Sequence, residues 1–354
     1  MNRLAAACLA SLCLSACTAE APETSNVPLA QRAAQPAAYL DNSGRADVLA
    51  GGVRMIQITT PKGPFKVWTK RVGNNPRVKV LLLHGGPAAT HEYFEAFDSY
   101  FPSEGIEYYY YDQLGSYYSD QPEMTDDMLA VPRFVEEVEQ VRQALGLERD
   151  NFYLLGHSWG GILAIEYALA HQDHLKGLIV SNMMASIPQY NAYAEKVLMP
   201  AMDQKVLAAA KGFEAAGKYD DPRYMELLVP AHYEKHILRM PADQWPDPVN
   251  RAFEHLNAKI YVPMQGPSEL GASGKLLNWD RTADLKKITV PTLTIGGQYD
   301  TMDPKHMEWM AKQLPKGRYL YCENGSHMSM YDDQRTYVNG VVKFIKDVDS
   351  GALK

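Results

Sequence analysis

Short apolar runs that alternate with helical patterns constrain the fold of this chain more than any other feature of its sequence. Residues 78–83 are continuously apolar, as expected of a strand that is buried on both faces. Similar runs follow at residues 106–111, 152–155, 175–180, 290–295 and 318–322, a β-hairpin pattern at 53–60 and 65–71 precedes them, and helical patterns cover 92–100, 133–145, 162–171, 304–313 and 334–348. This alternation predicts an α/β fold with a mostly parallel sheet flanked by helices.

One long interval departs from the alternation. Between residues 181 and 289 the sequence contains helical patterns and many aromatic residues, but no convincing buried strand. We therefore predict a helical cap, residues 185–286, that is inserted into a core formed by residues 53–184 and 287–354.

The chain begins with a pattern typical of an export signal. Arg3 supplies a positive charge, and residues 4–16 are almost wholly apolar. This run is shorter than the roughly 20 residues that a membrane-spanning helix needs. It ends in Leu14-Ser15-Ala16-Cys17, which resembles the lipobox of bacterial lipoproteins. The resemblance implies cleavage before Cys17 and attachment of lipid to its thiol, and a plain signal peptide is the alternative.

These features predict an exported protein that is lipid-anchored at the cell envelope. Thr18 follows the cysteine, so no Asp retention signal stands there. In a two-membrane bacterium we expect the outer membrane, with the protein facing the periplasm. Residues 18–52 are rich in Ala, Pro, Ser, Asn and Gln and have no sustained apolar period. This composition predicts a tether, and the sequence leaves open whether the last residues of the tether are ordered.

Charge and composition argue against several classes of partner. The formal net charge is -7, with acidic and basic residues interspersed, and no basic stripe indicates nucleic acid as a partner. No P-loop, dinucleotide fingerprint or metal-ligand cluster is visible in the sequence, so we expect no cofactor and no metal. With the signal removed and Cys17 acylated, Cys322 has no partner and is predicted to be a buried thiol.

The motif Gly156-His157-Ser158-Trp159-Gly160 carries the strongest functional signal. It lies between a predicted apolar strand and a predicted apolar helix, and it resembles the nucleophile elbow of the α/β-hydrolase fold. The flanking glycines would let strand and helix approach without a Cβ clash, while the serine stands clear of the sheet. We predict an α/β-hydrolase fold with Ser158 as the nucleophile. A Gly-rich loop with an ordinary N-cap serine is the alternative.

Donors for a developing oxyanion are predicted on both sides of this serine. His84-Gly85-Gly86-Pro87 directly follows the predicted strand 78–83, and its glycines let backbone N–H groups approach a ligand. We predict an oxyanion hole formed by the amides of Gly86 and Trp159, where each donor contributes about 3–4 kcal/mol of transition-state stabilisation. His84 is interpreted as a structural loop residue.

A serine hydroxyl needs a base, and the base needs an acid that orients it. Of the ten histidines, only His327 follows the last predicted strand. Asp300 follows the penultimate predicted strand and is the predicted acid. Asp303 is the rival, although its place before Pro304 is typical of a helix N-cap. The chain order Ser158, Asp300, His327 is the order expected of this fold.

These motifs resemble those of the prolyl aminopeptidases (proline iminopeptidases), including the tricorn-interacting aminopeptidases. The likeness extends from about residue 55 to residue 345. It includes His84-Gly85-Gly86-Pro87, Asp112-Gln113-Leu114-Gly115 with Ser119, Gly156-His157-Ser158-Trp159-Gly160-Gly161, and the loops of Asp300 and His327. The element Met264-Gln265-Gly266-Pro267-Ser268-Glu269, followed by Gly274 and Trp279-Asp280, is similar to a cap signature of this subfamily rather than of α/β hydrolases in general.

The resemblance implies release of an N-terminal residue, often proline, from short peptides with a free N-terminus. It also implies that Glu269 pairs with the α-amino or imino group of the substrate, and a solvated or N-capping glutamate is the alternative. Asp112 and Gln113 match a family loop near the site. We interpret them as structural, since a loop Asp more often accepts hydrogen bonds from backbone amides than performs chemistry.

Two positions depart from the family pattern. Ala88 stands where a glycine usually follows His-Gly-Gly-Pro, and Tyr117 replaces the second glycine of the loop that begins at Asp112. Both positions are predicted to lie near the substrate entrance. They leave the triad intact and bear on the preference for proline.

Other functions are compatible with the same triad. An amino-acid amidase, an esterase or a lactonase would use Ser158 in the same way, but an ester without an amine gains nothing from a buried carboxylate such as Glu269. A non-catalytic binding protein on a hydrolase scaffold is a further alternative, which the complete triad disfavours. The sequence leaves the oligomeric state open.

Overall fold

Eight strands form a single sheet in a computed structural model that describes residues 38–353. The strands are β1 (Val53–Thr60), β2 (Gly63–Val72), β3 (Lys79–Leu83), β4 (Glu107–Asp112), β5 (Phe152–His157), β6 (Gly177–Ser181), β7 (Thr292–Gly297) and β8 (Gly317–Cys322). Their order in the sheet is β1-β2-β4-β3-β5-β6-β7-β8. β1 and β2 form an antiparallel hairpin, β2 is antiparallel to β4, and the remaining pairs are parallel. The predicted hairpin and mostly parallel sheet are therefore confirmed.

Helices cover both faces of this sheet. The α-helices of four or more residues in the described part of the chain are, in order, α1 (Val131–Leu145), α2 (Trp159–His171), α3 (Ile187–Tyr193), α4 (Gln204–Ala215), α5 (Pro222–Leu228), α6 (Asp247–Glu254), α7 (Ala258–Met264), α8 (Pro304–Gln313), α9 (Ser329–Asp332) and α10 (Gln334–Asp349). Leu81 and Leu83 of β3 pack in one core with α1, α2 and α8, whereas Val80 and Leu82 pack in a second core with α10. Because both faces are buried, the strands are continuously apolar, and this is why their positions could be predicted.

One predicted helix has a different geometry. The segment predicted at residues 92–100 is the 3₁₀ helix Glu92–Ser99. A 3₁₀ helix aligns residues three apart, and here Phe94 and Phe97 stack with ring centroids 5.7 Å apart. Both rings are fully buried, so the tighter geometry places two large side chains in one core.

The chain between β6 and β7 forms the predicted helical insertion. It contains α3 to α7, and the π-helical turns Ala194–Leu198 and Val229–Tyr233 extend α3 and α5. The described residues of this interval contain no strand, only an isolated bridge between Ser186 and Asp280. The Ser186 hydroxyl also donates to Asp280 Oδ2 at 2.9 Å, so the two ends of the insertion are joined beside the sheet. The domain boundaries at residues 185 and 286 stay predictions.

Residues 38–52, predicted as the end of the tether, pack against β2 and β4. Arg71, which is 6% exposed, pairs through its guanidinium with Asp47 at 2.7 Å. Glu107, which is fully buried, pairs with Arg45 at 3.1 Å. Two buried charges of the sheet thus find their partners in this segment, and it belongs to the folded domain for that reason.

Several other predictions concern the ends of the chain and the cysteines. The predicted signal, Cys17 and the rest of the tether lie outside the described residues. Across residues 38–353, none of the helices is long and apolar enough to cross a membrane. Cys322 is buried and has no disulfide partner within that same range, as predicted.

We predict that Asp47→Ala destabilises the domain by about 1.5–3 kcal/mol, because it removes a charged hydrogen-bond partner from the buried guanidinium of Arg71. Urea unfolding monitored by fluorescence measures this change. Asp41→Ala is the matched control, since the Asp41 side chain is exposed and has a local hydrogen bond from Ser43, two residues away. Equal losses in the two variants would contradict the proposed contribution of the segment.

Candidate active site

Ser158 occupies a sharp turn between β5 and α2. Its backbone angles are φ 56° and ψ -126°, a conformation that non-glycine residues rarely adopt. A Cβ added at Gly156 would lie 1.9 Å from the carbonyl oxygen of Gly160, and one added at Gly160 would lie 2.0 Å from the carbonyl oxygen of Leu83. The glycines are therefore required because α2 approaches both β5 and the end of β3.

His327 and Asp300 lie on the loops that follow β8 and β7. His327 Nδ1 is 2.8 Å from Asp300 Oδ1, and both side chains are buried. Burial opposes the protonated imidazole, but the charge of Asp300 and its hydrogen bond outweigh this effect and raise the pKa of His327 above its ordinary value. The rival Asp303 does not reach this site, because its carboxylate accepts a hydrogen bond from the Lys305 amide at 2.9 Å as the N-cap of α8.

Ser158 and His327 line the same cavity, of about 660 Å³, below the helical insertion. Among the hydrogen bonds of residues 38–353, none joins the Ser158 hydroxyl to His327. Such a bond is often long in a serine hydrolase without substrate and tightens when substrate binds. The structure thus brings the three predicted triad residues together and forms the His–Asp hydrogen bond.

The two predicted oxyanion donors flank this serine. Gly86 lies in the loop after β3, with φ 108°, and its N–H has no backbone or side-chain acceptor within the described part of the chain. Trp159 is the first residue of α2, where the amide has no preceding helical turn to bond. A Cβ at Gly85 would lie 2.9 Å from Ser158 Cβ, so the loop passes close to the serine.

The residues interpreted as structural have structural contacts. His84 Nδ1 donates to the Gly85 carbonyl, and its Nε2 accepts from the Gln113 amide, while burial lowers the pKa of His84 to about 4. The Gln113 side chain accepts from the Trp159 indole at 2.8 Å. Asp112 accepts from the backbone and ring nitrogens of His91. These residues hold the oxyanion loop to the start of α2.

Glu269 lies on the cavity wall with Ser158 and His327. Tyr261 donates to its carboxylate at 2.5 Å, Tyr190 donates to its carbonyl at 3.0 Å, and its amide donates to the Tyr233 hydroxyl at 3.2 Å. Burial raises the pKa of the Glu269 carboxyl, while His327 and the Tyr261 hydrogen bond act in the opposite direction. Glu269 has no ion-pair partner among the residues that the structure describes.

Ala88 and Tyr117, the two residues that depart from the family pattern, lie in different environments. Ala88 adopts φ 62°, a left-handed conformation that favours glycine. Tyr117 stacks on His255 of the insertion, with ring centroids 3.8 Å apart. The two substitutions therefore alter the oxyanion loop and the contact between core and insertion, respectively.

Sequence reasoning missed several polar residues of the site. Tyr93 accepts from the Gly85 amide and donates to His157 Nδ1, and His157 Nε2 donates to the His327 carbonyl at 2.8 Å. Burial lowers the pKa of His157 to about 3, consistent with this neutral form. Asn182, directly after β6, donates to Asp300 Oδ2 at 2.8 Å. Its place at the carboxyl end of a parallel strand was the signal that could have identified it.

One group of possible metal ligands occurs away from the cavity. Glu139, His171 and His174 bring their ligand atoms within 4.8 Å of one another. The Glu139 carboxylate already accepts hydrogen bonds from Arg142, Tyr167 and Gln143. A metal would have to displace these donors beside the Arg142 cation, so the donor set does not fit a divalent ion.

Comparisons with known proteins agree with this geometry. Residues 79–334 match the family model described as alpha/beta hydrolase fold. The chain is 57% identical to a proline iminopeptidase of Flavobacterium johnsoniae, over 83% of this chain and 98% of that protein. It is 59% identical to a proline iminopeptidase of Elizabethkingia meningoseptica, over 84% and 99%. It is also similar to the crystal structure of a proline iminopeptidase of Mycobacterium smegmatis, with a TM-score of 0.73 and 27% identity, over 84% of this chain and 99% of that one.

We predict that His327 titrates above pH 6.5, while His84 and His157 stay neutral down to about pH 5 because burial depresses their pKa values. NMR titration of ring-labelled histidines measures all three. In Asp300→Asn the His327 pKa should fall, since burial then acts without the opposing charge. A His327 pKa that is unchanged by this substitution would contradict the assigned pair.

Proposed function

The chain belongs to the proline iminopeptidase family of α/β hydrolases, and from that premise we propose that it is a serine aminopeptidase. It releases an N-terminal residue, with proline as the expected residue, from short peptides. The observation that carries this proposal is the placement of Glu269, a carboxylate without an ion-pair partner among the described residues, in one cavity with Ser158 and His327.

The proposed reaction proceeds through an acyl-enzyme. Ser158 Oγ attacks the carbonyl carbon of the first peptide bond while His327 accepts its proton, and the N–H groups of Gly86 and Trp159 donate to the oxyanion. His327 then protonates the leaving amine, and the N-terminal residue stays esterified to Ser158. A water molecule that loses a proton to His327 attacks this ester, releases the amino acid and restores the serine. Asp300 keeps the proton of the resting imidazole on Nδ1.

Glu269 would select substrates with a free N-terminus. A carboxylate forms charge-assisted hydrogen bonds with an ammonium group, each contributing about 1.5–3 kcal/mol. A blocked or amine-free substrate would leave this carboxylate desolvated and unpaired, which is unfavourable. The tyrosines that hold the backbone and side chain of Glu269 support this role, because they keep the charge at one place on the cavity wall.

The runner-up function is hydrolysis of an ester, lactone or amino-acid amide by the same triad. The apolar side chains of the cavity, such as Phe253 and Leu256, would accept such acyl groups. The unpaired carboxylate favours a cationic substrate instead. We also propose that the chain belongs to the tricorn-interacting subgroup of this family. The support is Glu269 within the Gly-Pro-Ser-Glu element and the pair Trp279-Asp280 that follows it.

We predict that Asp300→Asn lowers kcat by about 10²–10⁴-fold, because the amide stabilises the wrong tautomer of His327. Asp303→Asn is the matched control and should stay within a few-fold of the wild type, since its side chain caps α8. Steady-state kinetics on a prolyl chromogenic substrate measures both. The reverse order of effects would overturn the assignment of the acid.

We predict that Glu269→Gln lowers kcat/KM on free-amine substrates by about ten- to a hundredfold, because a neutral amide pairs weakly with an ammonium. Activity on N-blocked or ester substrates should hold or rise. Glu226→Gln, an exposed cap carboxylate outside the cavity, is the control and should change neither. A parallel loss on both substrate classes would assign Glu269 a structural role and remove the support for an aminopeptidase.

We also propose that the mature protein is anchored by lipid on Cys17 at the cell envelope, in the outer membrane of a two-membrane host. The support is the Leu14-Ser15-Ala16-Cys17 pattern after an apolar run and the absence of Asp at residue 18. Several acyl chains are needed for firm anchoring, which a lipoprotein cysteine provides.

We predict that Cys17→Ser releases or mislocalises the protein without changing kcat. Cys13→Ser, within the apolar run, is the control and should leave the protein with the membranes. Fractionation and mass spectrometry of the mature N-terminus test this. An unmodified Cys17 in the mature wild-type protein would refute lipid anchoring.

A further inference from the structure

Asn182 lies directly behind the acid of the triad. It follows β6, its backbone N–H donates to the Ile295 carbonyl of β7 at 2.9 Å, and its φ is 52°. The residue is completely buried and does not line the cavity that holds Ser158. It therefore touches the triad from the protein interior and not from the substrate side.

The orientation of the Asn182 amide follows from its partners. Nδ2 lies 2.8 Å from Asp300 Oδ2 and 3.0 Å from the Ser326 carbonyl oxygen. A carbonyl oxygen can only accept a hydrogen bond, and so can the oxygen of an ionised carboxylate. The Ser181 hydroxyl donates to Oδ1 at 2.8 Å. The amide nitrogen must then face the carboxylate. The titratable groups that adjoin this network are Asp300 and His327, the hydroxyl of Tyr337 through Ser181, the carboxyl of Asp332 through Ser326, and the thiol of Cys322 through Ser329.

These contacts add to the backbone hydrogen bonds that already join the two loops, from the amides of Gln298 and Tyr299 to the carbonyls of Cys322 and Gly325. Asp300 Oδ1 accepts from His327 Nδ1, and Oδ2 has Asn182 as its only donor among the described residues. The carboxylate is therefore held on both oxygens, with His327 and the Met302 amide on Oδ1 and Asn182 on Oδ2. Through Ser326, the same amide also fixes the residue before His327.

We propose that Asn182 is a positioning residue that sets the orientation of Asp300 and the His327 loop together. This role rests on one part of the proposed function, which is that Ser158 is a reactive nucleophile. It does not depend on which acyl substrate the enzyme hydrolyses. Labelling of Ser158 by a fluorophosphonate therefore tests it separately from aminopeptidase turnover.

The first experiment compares Asn182→Gly with the wild type. Glycine adopts φ 52° without strain, so this variant removes the amide and keeps the turn. We expect kcat and the labelling rate to fall about ten- to a hundredfold with KM within about twofold, because misplacement of a triad member affects the chemistry and not the cavity. A labelling rate within twofold of the wild type would overturn the proposal.

Thr292→Val supplies the matched control for lost stability. Thr292 is completely buried on the neighbouring strand β7, at the end away from the site, and its hydroxyl donates to the Val290 carbonyl at 2.9 Å. This variant should lower the melting temperature and leave the labelling rate unchanged. If it slows labelling as much as Asn182→Gly at a similar melting temperature, the effect is general destabilisation and the proposal fails.

Asn182→Asp tests the donated hydrogen bond through the pH dependence of the labelling rate, which a purely structural role would leave unchanged. The introduced carboxyl faces Asp300 Oδ2, and two carboxyl groups in contact share one proton. In its protonated form the new group can donate to Asp300 as the amide does. We expect Asn182→Asp to label faster than Asn182→Gly at the acid end of a series from pH 6 to 9. Equal rates for the two variants at every pH would contradict the role of the donated hydrogen bond.

Discussion

The approach of α2 to the ends of β3 and β5 is the constraint on which the rest of the site depends. Neither Gly156 nor Gly160 has room for a Cβ, because backbone oxygens lie about 2 Å from the position it would take. This packing forces the strained turn at Ser158. It also fixes the Trp159 amide beside the loop of Gly86, since that loop begins where β3 ends. The nucleophile and both oxyanion donors are thus consequences of one packing contact.

The helical insertion contributes the carboxylate of Glu269 to the cavity that contains Ser158. Tyr190 on α3, Tyr233 in the π-helical turn after α5 and Tyr261 on α7 all bond Glu269. Three separate parts of the insertion therefore converge on one carboxylate. Its negative charge is one of the causes that raise the pKa of His327. A bound ammonium would offset that charge, so substrate binding and the basicity of the imidazole are electrostatically coupled.

The parts of this molecule that could be predicted from sequence are those with a local signal. Buried parallel strands are continuously apolar. Ser158 after β5 could be assigned from its motif, and Asp300 and His327 from their positions after β7 and β8. The position of Asn182 at the carboxyl end of β6 made it a candidate, but its contact with Asp300, and those of Tyr93 with Gly85 and His157, join residues distant in sequence and follow no motif. The same holds for residues 38–52, whose composition resembles a tether, while Arg45 and Asp47 serve as partners for buried charges elsewhere. The environment of Glu269 depends on tyrosines distant in sequence, so only its resemblance to a family motif indicated a role.

The central claim is that a serine hydrolase site is combined with a carboxylate that requires a free N-terminus. Its most direct test is the ratio of kcat/KM for wild-type protein on a prolyl amide substrate and on the N-acetylprolyl counterpart with the same leaving group. We expect the free substrate to be favoured by at least about a hundredfold, which corresponds to loss of charged hydrogen bonds and an unpaired carboxylate in the blocked complex. Equal turnover of the two substrates would contradict the account and would favour the esterase or amidase function.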